Sequence, residues 1–198
     1  MRMMKHAWVC LLGVLLLSSC GGSSVEGLTG KVTLDGYDGR MVYLETTTNT
    51  PERVDSAQVK DNRFSFTFND SVPQVYCLVL GKTDNDEFPI TLPVVSEKGH
   101  IKVMMGELVL TMGTPLNDKL QDFLLAVSNF TDKMILDKDA DLQTVVVEFG
   151  KLLEGSIMQN INTPVGAYIY RRYAEKLTPE QKEMILGRAD DKFKESIK

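Results

Sequence analysis

Cysteine and histidine, which build most redox, nucleophilic and zinc sites, are scarce in this chain of 198 residues. Beyond position 20 the sequence holds one cysteine, Cys77, and one histidine, His100. There is no Cys-x-x-Cys pair for dithiol redox chemistry, and Cys77 has no intramolecular disulfide partner or zinc-ligand set. A Ser-His-Asp triad would depend on His100, and no G-x-S-x-G motif is present. We therefore expect no catalytic residues, no metal site and no cofactor.

Basic side chains are fewer than acidic ones. The formal net charge of the chain is −5. Arg2 and Lys5 precede residue 20, so residues 20–198 hold 20 basic and 27 acidic side chains and have a net charge of −7. Nucleic-acid binding requires a basic surface, and so does electrostatic binding to anionic lipid. We therefore expect no nucleic-acid partner.

The first 20 residues have the organisation of a secretory signal. Arg2 and Lys5 form a short positive segment, and residues 7–17 are an uncharged, mainly apolar run. A run of this length suits the core of a signal peptide, whereas a membrane-spanning helix needs about 20 residues. We predict that residues 1–19 are a signal peptide that is removed on export.

The signal ends in Leu17-Ser18-Ser19-Cys20, which resembles the bacterial lipobox. Small side chains before a cysteine fit the groove of a peptidase, and the thiol can form a thioether with diacylglycerol. We predict that Cys20 is lipidated, that residues 20–27 form a flexible tether, and that the lipid bilayer is the partner of this anchor. A plain signal with a chance cysteine is the alternative.

The residues after Cys20 bear on where the protein resides. Two glycines and two serines follow, and no acidic run is present. In lipoproteins of this kind an acidic run at that place favours display on the cell surface. We therefore expect a protein of the bacterial cell envelope, lipid-anchored in the outer membrane and facing the periplasm.

Residues 28–113 have the composition and spacing of short β-strands separated by turns. Seven or eight antiparallel strands with short connections indicate a β-sandwich. The predicted strands cover residues 28–35, 40–47, 53–60, 63–68, 75–80, 88–95, 100–105 and 108–112.

Two features inside this region make sharper predictions. Asp61-Asn62 predicts a hairpin between the third and fourth strands, and the alternation of Phe64, Phe66 and Phe68 predicts that all three share the core-facing side. Residues 75–80 are apolar at every position. This predicts a central strand that is buried on both faces.

The pattern becomes helical over residues 114–198. Thr-Pro pairs begin at positions 114, 163 and 178, where threonine can cap free N–H groups and proline has no N–H to leave unpaired. Helices are predicted over 115–135, 141–159, 164–177 and 179–196. The sequence therefore predicts an α+β protein, with an antiparallel β-sandwich domain over 28–113 followed by a helical C-terminal region over 114–198.

Several short motifs follow one another in a characteristic order. They are Gly36-Tyr37-Asp38-Gly39, Glu97-Lys98-Gly99-His100, Met112-Gly113-Thr114-Pro115-Leu116-Asn117 and Asn160-Ile161-Asn162-Thr163-Pro164-Val165-Gly166. A chain with a lipobox followed by these motifs in this order resembles domain-of-unknown-function family 4369, and the resemblance covers most of residues 20–198. The resemblance implies the N-terminal domain of membrane-anchored thiol-disulfide oxidoreductases, typically of Bacteroidota. In those proteins a thioredoxin-like domain would follow about where this chain ends, so we expect a stand-alone lipoprotein without that domain. The chemistry of the family lies in that domain, and the resemblance therefore implies no catalytic residue in this chain.

Two groups of residues are candidates for contact or modification. Tyr168, Tyr170, Arg171, Arg172 and Tyr173 lie on one predicted helix, and aromatic residues with arginine are enriched at binding surfaces. Tyr168, Arg172 and Tyr173 are the predicted partner contacts, with packing against the sandwich as the alternative. Ser56 and Ser71 each follow an aspartate and precede an apolar residue. This pattern resembles the O-glycosylation acceptor of Bacteroidota. Both serines are therefore candidate glycan sites, a hypothesis that an intact mass without glycan would exclude.

An acidic segment imitates a calcium loop. Asp137, Asp139, Asp141 and Glu148 have the spacing of such a loop, but Leu142 stands where the loop needs glycine. An apolar helical stripe also runs through residues 142–153. We therefore predict that Asp139 or Asp141 caps a helix, with calcium binding as the alternative.

Two further features have an ordinary structural interpretation. Asp84, Asp86 and Glu87 indicate a solvated turn, with oxygen-only metal binding as the alternative. Cys77 lies within an apolar strand, which favours a buried hydrophobic role over a reactive thiol.

These observations favour a non-catalytic, membrane-anchored binding or scaffold module, since the edges and loops of a β-sandwich suit partner binding. The family resemblance implies a periplasmic protein partner, a thiol-disulfide oxidoreductase to which this chain is accessory. The alternatives are a structural envelope lipoprotein and an enzyme whose carboxylates come together from distant loops.

Overall fold

A computed structural model describes residues 27–81, 87–137 and 139–198 of the chain. Within these ranges, eight strands form two four-stranded sheets, in the orders β4-β1-β7-β8 and β3-β2-β5-β6. Helices follow the last strand, so the predicted α+β architecture of a β-sandwich and a helical C-terminal part is confirmed. The strands are β1 Gly27–Val32, β2 Met41–Thr46, β3 Arg53–Gln58, β4 Arg63–Phe66, β5 Val75–Leu80, β6 Ile90–Val95, β7 His100–Met105 and β8 Leu110–Met112.

One strand pair differs from the expected antiparallel pattern. β1 and β7 run parallel, with Leu28 opposite Ile101 and Gly30 opposite Val103, while the other paired strands are antiparallel. Parallel neighbours need a long crossover connection, and here the chain between them passes through the second sheet. Short connections alone predict only antiparallel neighbours, so the sequence did not reveal this pair.

The reversal predicted at Asp61-Asn62 is present, but its two arms separate. Lys60 and Arg63 exchange two backbone hydrogen bonds of 2.9 Å, and Asp61 and Asn62 have φ values of 51° and 58°. These values fit a type I′ turn. Beyond the turn, β3 pairs with β2 in one sheet and β4 pairs with β1 in the other. The hairpin is therefore a corner between sheets.

The two sheets enclose the first hydrophobic core. Phe64 and Phe66 are buried in it with their rings edge to face, and Phe68 is partly buried and stacks on Tyr76. This arrangement confirms the side assigned to the three phenylalanines. Core positions on the other strands include Leu28, Val32, Val42, Leu44, Leu78, Leu80, Leu92, Ile101, Val103 and Met105.

Five α-helices lie within the described ranges: α1 Pro115–Leu136, α2 Leu142–Gln159, α3 Pro164–Tyr173, α4 Pro179–Arg188 and α5 Asp191–Ser196. The predicted last helix is divided in two. Ala189 adopts an extended conformation, and the Asp190 carboxylate then accepts a hydrogen bond of 2.7 Å from the Phe193 N–H, which starts α5. None of these helices is long and apolar enough to cross a membrane.

The helices form a second core against the outer face of the β3-β2-β5-β6 sheet. Val75 of β5 and Val95 of β6 pack with Leu120, Phe123 and other helical residues. Leu78 and Leu80 of the same β5 strand point instead into the sandwich core. The central strand is thus covered on both faces, as its continuous apolar sequence predicts.

Asn117 fastens the first helix to both sheets. Its fully buried side chain accepts from the Val95 N–H (2.9 Å) and the Thr111 hydroxyl (3.0 Å), and its amide donates to the Val95 carbonyl (2.8 Å). The Glu97 carboxylate accepts hydrogen bonds from the N–H groups of Leu116 and Asn117 in the first turn of α1. It thereby replaces the side chain of an N-cap residue. Two of the sequence motifs therefore meet to form the sandwich–helix joint.

Candidate binding cleft

A cleft of about 440 Å³ opens between the sandwich and the helical part. One wall comes from the loops and strand ends around β2 and β5, and the other from α3, α5 and the turn before α3. Its lining residues are Thr46, Thr47, Thr48, Val72, Pro73, Gln74, Val75, Tyr76, Asn162, Thr163, Pro164, Ala167, Arg171, Lys192, Phe193 and Ser196.

Hydrogen bonds hold the sandwich wall of the cleft in place. The Thr47 hydroxyl donates to the Val75 carbonyl at 2.9 Å and so ties the end of β2 to β5. The Tyr76 hydroxyl donates to Asp70 Oδ1 at 3.2 Å, which fixes the loop that leads into the strand. The Gln74 backbone is anchored to Ser96, whose N–H donates to the Gln74 carbonyl at 2.8 Å. The wall is therefore preformed.

The helical wall depends on a compact turn before α3. The Thr163 hydroxyl donates to the Asn160 carbonyl at 2.7 Å and accepts from the Gly166 N–H at 3.3 Å. A Cβ at Gly166 would lie 2.3 Å from the Asn160 carbonyl oxygen, so only glycine fits. The Asn162 side chain accepts from the Asp190 N–H at 2.8 Å and thereby places the start of α5.

Arg171 joins the two walls at one end of the cleft. Its guanidinium donates to the Ser196 carbonyl (3.0 Å) and to the Thr47 hydroxyl (3.2 Å). Both acceptors are neutral, and the guanidinium has three further N–H donors. Partial burial lowers the pKa of Arg171, which nevertheless stays protonated at neutral pH because arginine starts so high.

The charge of the cleft is opposite to that of the whole chain. Arg171 and Lys192 line it, and no acidic side chain does so in the described parts of the chain. Ion pairs within those parts join Arg53 to Glu45 and Lys151 to Glu148, and neither cleft cation takes part in one. The cleft thus offers two uncompensated positive charges beside apolar surface.

A comparison with protein-family models identifies a family for part of this chain. Residues 27–120 match the model described as a domain of unknown function, DUF4369. These residues form a DUF4369 domain. The match runs from β1 into the first turns of α1, so it includes the Glu97–Asn117 joint and the sandwich wall of the cleft. No curated protein matches the chain.

The helix that flanks the DUF4369 domain carries the three predicted contact residues. Tyr173 is partly buried, with its ring edge to face against Phe123 and Phe149. Tyr168 is partly buried too, whereas Arg172 is exposed. The neighbouring Arg171, which belongs to the same helix group but is not one of the three predicted contacts, lines the cleft instead. Its helix position gave no signal of this role, because the cleft forms only when α3 meets the sandwich.

Cys77 of the DUF4369 domain lies under the same helix. Burial, with a smaller contribution from Glu45, raises the pKa of the Cys77 thiol to about 11, and burial likewise raises the pKa of Tyr168 to about 12. The thiol contacts the Leu78 carbonyl at 3.6 Å. At neutral pH Cys77 is therefore protonated and a weak nucleophile.

We expect Cys77 in the folded protein to react with iodoacetamide roughly a hundredfold more slowly at pH 8 than in urea, because each pKa unit above the ordinary value lowers the thiolate fraction about tenfold. The rate in the folded protein should keep rising with pH towards 11, whereas the rate in urea should level off near 9. Peptide-level mass spectrometry separates Cys77 from Cys10 and Cys20. Equal rates at pH 8 would contradict this account.

The other candidates lie outside the cleft. Ser56 is exposed on the edge strand β3, and Ser71 is exposed in the loop before β5; their glycosylation stays a prediction. Cys20 and residues 1–26 lie outside the described residues, as do Asp84 and Asp86 of the predicted solvated turn. His100 lies at the start of β7, with its Nε2 3.1 Å from the Thr29 hydroxyl.

The acidic segment before α2 acts as a helix cap. The Asp141 carboxylate accepts from the Thr144 N–H at 2.7 Å, and this hydrogen bond lowers the pKa of Asp141. The α2 helix begins at Leu142, so residues that a calcium loop would need are helical. The predicted cap is confirmed. Among the described residues, no group of three or more His, Cys, Asp or Glu side chains is placed to hold a metal ion.

Proposed function

We propose that this protein is a lipid-anchored lipoprotein of the bacterial cell envelope that acts as a non-catalytic binding module, with the cleft as its binding site. The cleft is the observation on which the proposal rests. Its volume of about 440 Å³ falls in the range of about 300–1,000 Å³ that is usual for small-ligand pockets. Its walls are held by hydrogen bonds before any ligand arrives, which lowers the entropic cost of binding.

The anchor part of the proposal rests on the lipobox that ends at Cys20. A lipid on this residue, followed by a Gly- and Ser-rich tether, would keep the folded body close to the periplasmic face of the outer membrane. The role of Cys77 supports a non-catalytic module, because its raised pKa makes it a poor redox thiol. An accessory role towards a thiol-disulfide oxidoreductase is suggested by the family resemblance alone.

We expect a Cys20→Ala variant to lose radiolabelled palmitate and to move from the membrane to the soluble fraction of envelope preparations. The physical reason is that the acyl chains on this residue supply the membrane affinity, at about 0.8 kcal/mol for each buried CH₂ group. A Cys10→Ala variant is the matched control and should stay labelled and membrane-bound. Retention of the label by Cys20→Ala would contradict the anchor assignment.

The binding role is tested by photo-crosslinking in living cells. A photoreactive residue at Gln74, which lines the cleft, should give one dominant adduct in the full-length chain. The same residue at Val54, which is 51% exposed on β3 and lies outside the cleft, should give only weak background. Equal background at both positions would contradict a binding cleft and would favour the structural lipoprotein, whose function depends on the anchor alone.

A further inference from the structure

We propose that the cleft binds an organic anion with an apolar body, and that Arg171 holds its carboxylate or phosphate headgroup. This inference rests on the proposed function, because it names the ligand class of the same cleft. It follows from three features: the unpaired cations, the apolar wall and the order in which they occur along α3.

The first feature is the state of the two cations. Arg171 donates to a carbonyl and a hydroxyl, so its positive charge is not neutralised by these partners, and three of its N–H donors remain for a ligand. Lys192 also lines the cleft and takes part in no ion pair within the described ranges. A planar guanidinium binds carboxylate and phosphate in forked geometry, and such charge-assisted hydrogen bonds are about twice as strong as neutral ones.

The second feature is the apolar wall. Val72, Val75, Pro164, Ala167 and Phe193 all line the cleft, and Val72 is 65% exposed although it is aliphatic. An exposed valine at the rim of a cleft gains free energy when a ligand covers it, at about 25 cal/mol for each Å² removed from water. A small inorganic anion would leave this wall in contact with water. The wall therefore favours a ligand with a hydrocarbon part.

The third feature is the order of these groups. Pro164, Ala167 and Arg171 lie at helical spacing on one side of α3, and the step from Pro164 to Arg171 covers about 10 Å at about 1.5 Å per residue. The α5 helix follows α3 in the same direction, since Asp190 is bonded to Asn162 at one end and Ser196 to Arg171 at the other. The cleft thus runs along α3 past Pro164 and Ala167 to Arg171, which matches an apolar chain with its headgroup on Arg171. Lys192, in the first turn of α5, lies nearer the Asn162 end.

The test uses the full chain reconstituted in nanodiscs and a photoreactive analogue of octanoate. The label should map to peptides that contain residues 72–76 or Ala167. Octanoate and octyl phosphate should compete at least about tenfold better than octanol, and octylammonium should compete worst, because only the anions gain the charge-assisted bonds. The better of the two anions identifies carboxylate or phosphate as the preferred headgroup.

Variants separate the role of charge from a general loss of structure. Arg171→Gln should weaken competition by octanoate about tenfold, and Lys192→Gln, whose cation lies nearer the Asn162 end, should weaken it less. Competition by octanol, which has no charge, should change little in either variant. Lys194→Gln is the matched control, because Lys194 lies on the same helix and does not line the cleft. Because Arg171→Gln also removes the hydrogen bonds to Ser196 and Thr47, its unfolding midpoint is measured beside the competition. Arg171→Lys, which keeps the positive charge, should retain more of the octanoate competition than Arg171→Gln.

Two results would overturn the inference. If octanol and octylammonium compete as well as the anions for label in the cleft, the cleft binds ligands but does not select anions. If no probe labels the cleft peptides, the ligand class is wrong, and the Gln74 crosslink in cells decides the proposed function separately.

Discussion

Replacing Asn117 with alanine is expected to lower the free energy of unfolding by roughly 4 kcal/mol. The side chain is fully buried and bonds both the N–H and the carbonyl of Val95 as well as the Thr111 hydroxyl. Each buried polar group left without a partner costs about 1–3 kcal/mol, and alanine satisfies none of the three. Because Val95 belongs to β6 and Thr111 to β8, the loss should loosen both sheets where α1 docks.

The measurement for Asn117→Ala is chemical denaturation followed by circular dichroism. Asn129→Ala is the matched control, since Asn129 is an exposed asparagine of the same helix and its replacement should change stability by no more than about 0.5 kcal/mol. A cost below about 1 kcal/mol for Asn117→Ala would show that the joint does not depend on this side chain.

A Gly30→Ala variant is expected to lose about 3 kcal/mol of stability for a different reason. Gly30 lies in β1 between β4 and β7, and a Cβ there would fall 2.0 Å from the ring of Phe64. The Phe64 ring is itself buried in the sandwich core and has little space in which to move. Overpacking of a filled core typically costs about 1–3 kcal/mol, and this contact lies at the severe end.

A double-mutant cycle with Phe64→Leu checks the cause of the Gly30→Ala effect. The smaller side chain should relieve the clash, so the double variant should be more stable than the sum of the two single losses predicts. Gly155→Ala provides the control, because nothing lies within 4 Å of its Cβ position on α2 and alanine there should be neutral or stabilising. Strictly additive losses would contradict the proposed clash.

The sequence predicted the strands, turns and helices of this fold better than it predicted which strands pair with each other. Local signals sufficed for the Asp61-Asn62 reversal and for the caps at Thr163 and Thr178, because each depends on neighbours in the chain. Thr114 carries the same Thr-Pro signal but makes no side-chain cap, and Glu97 bonds the free N–H groups there. The parallel pairing of β1 with β7 joins residues more than 70 positions apart. No local pattern distinguishes that pairing from an antiparallel one, so it became visible only in the assembled sheets.

The cleft could not be predicted for the same reason. Its walls come from residues 46–48, 72–76, 162–167 and the α3 and α5 helices, which are distant in the chain and have ordinary compositions. The predicted contact residues on α3 are Tyr168, Arg172 and Tyr173, whereas the neighbouring Arg171 is the one that lines the cleft. A difference of one position on a helix rotates a side chain by about 100°, and only the packing of α3 decides which residue faces the sandwich.

The most direct test of the account is to fill the cleft and measure the in-cell crosslink again. Val72→Trp adds a large side chain at the exposed rim without changing the core, and Val54→Trp makes the same change on β3, away from the cleft. With the photoreactive residue at Gln74, we predict that Val72→Trp reduces the dominant adduct to background while Val54→Trp leaves it intact, both variants being folded. An undiminished adduct in folded Val72→Trp would contradict the claim that this cleft is the binding site.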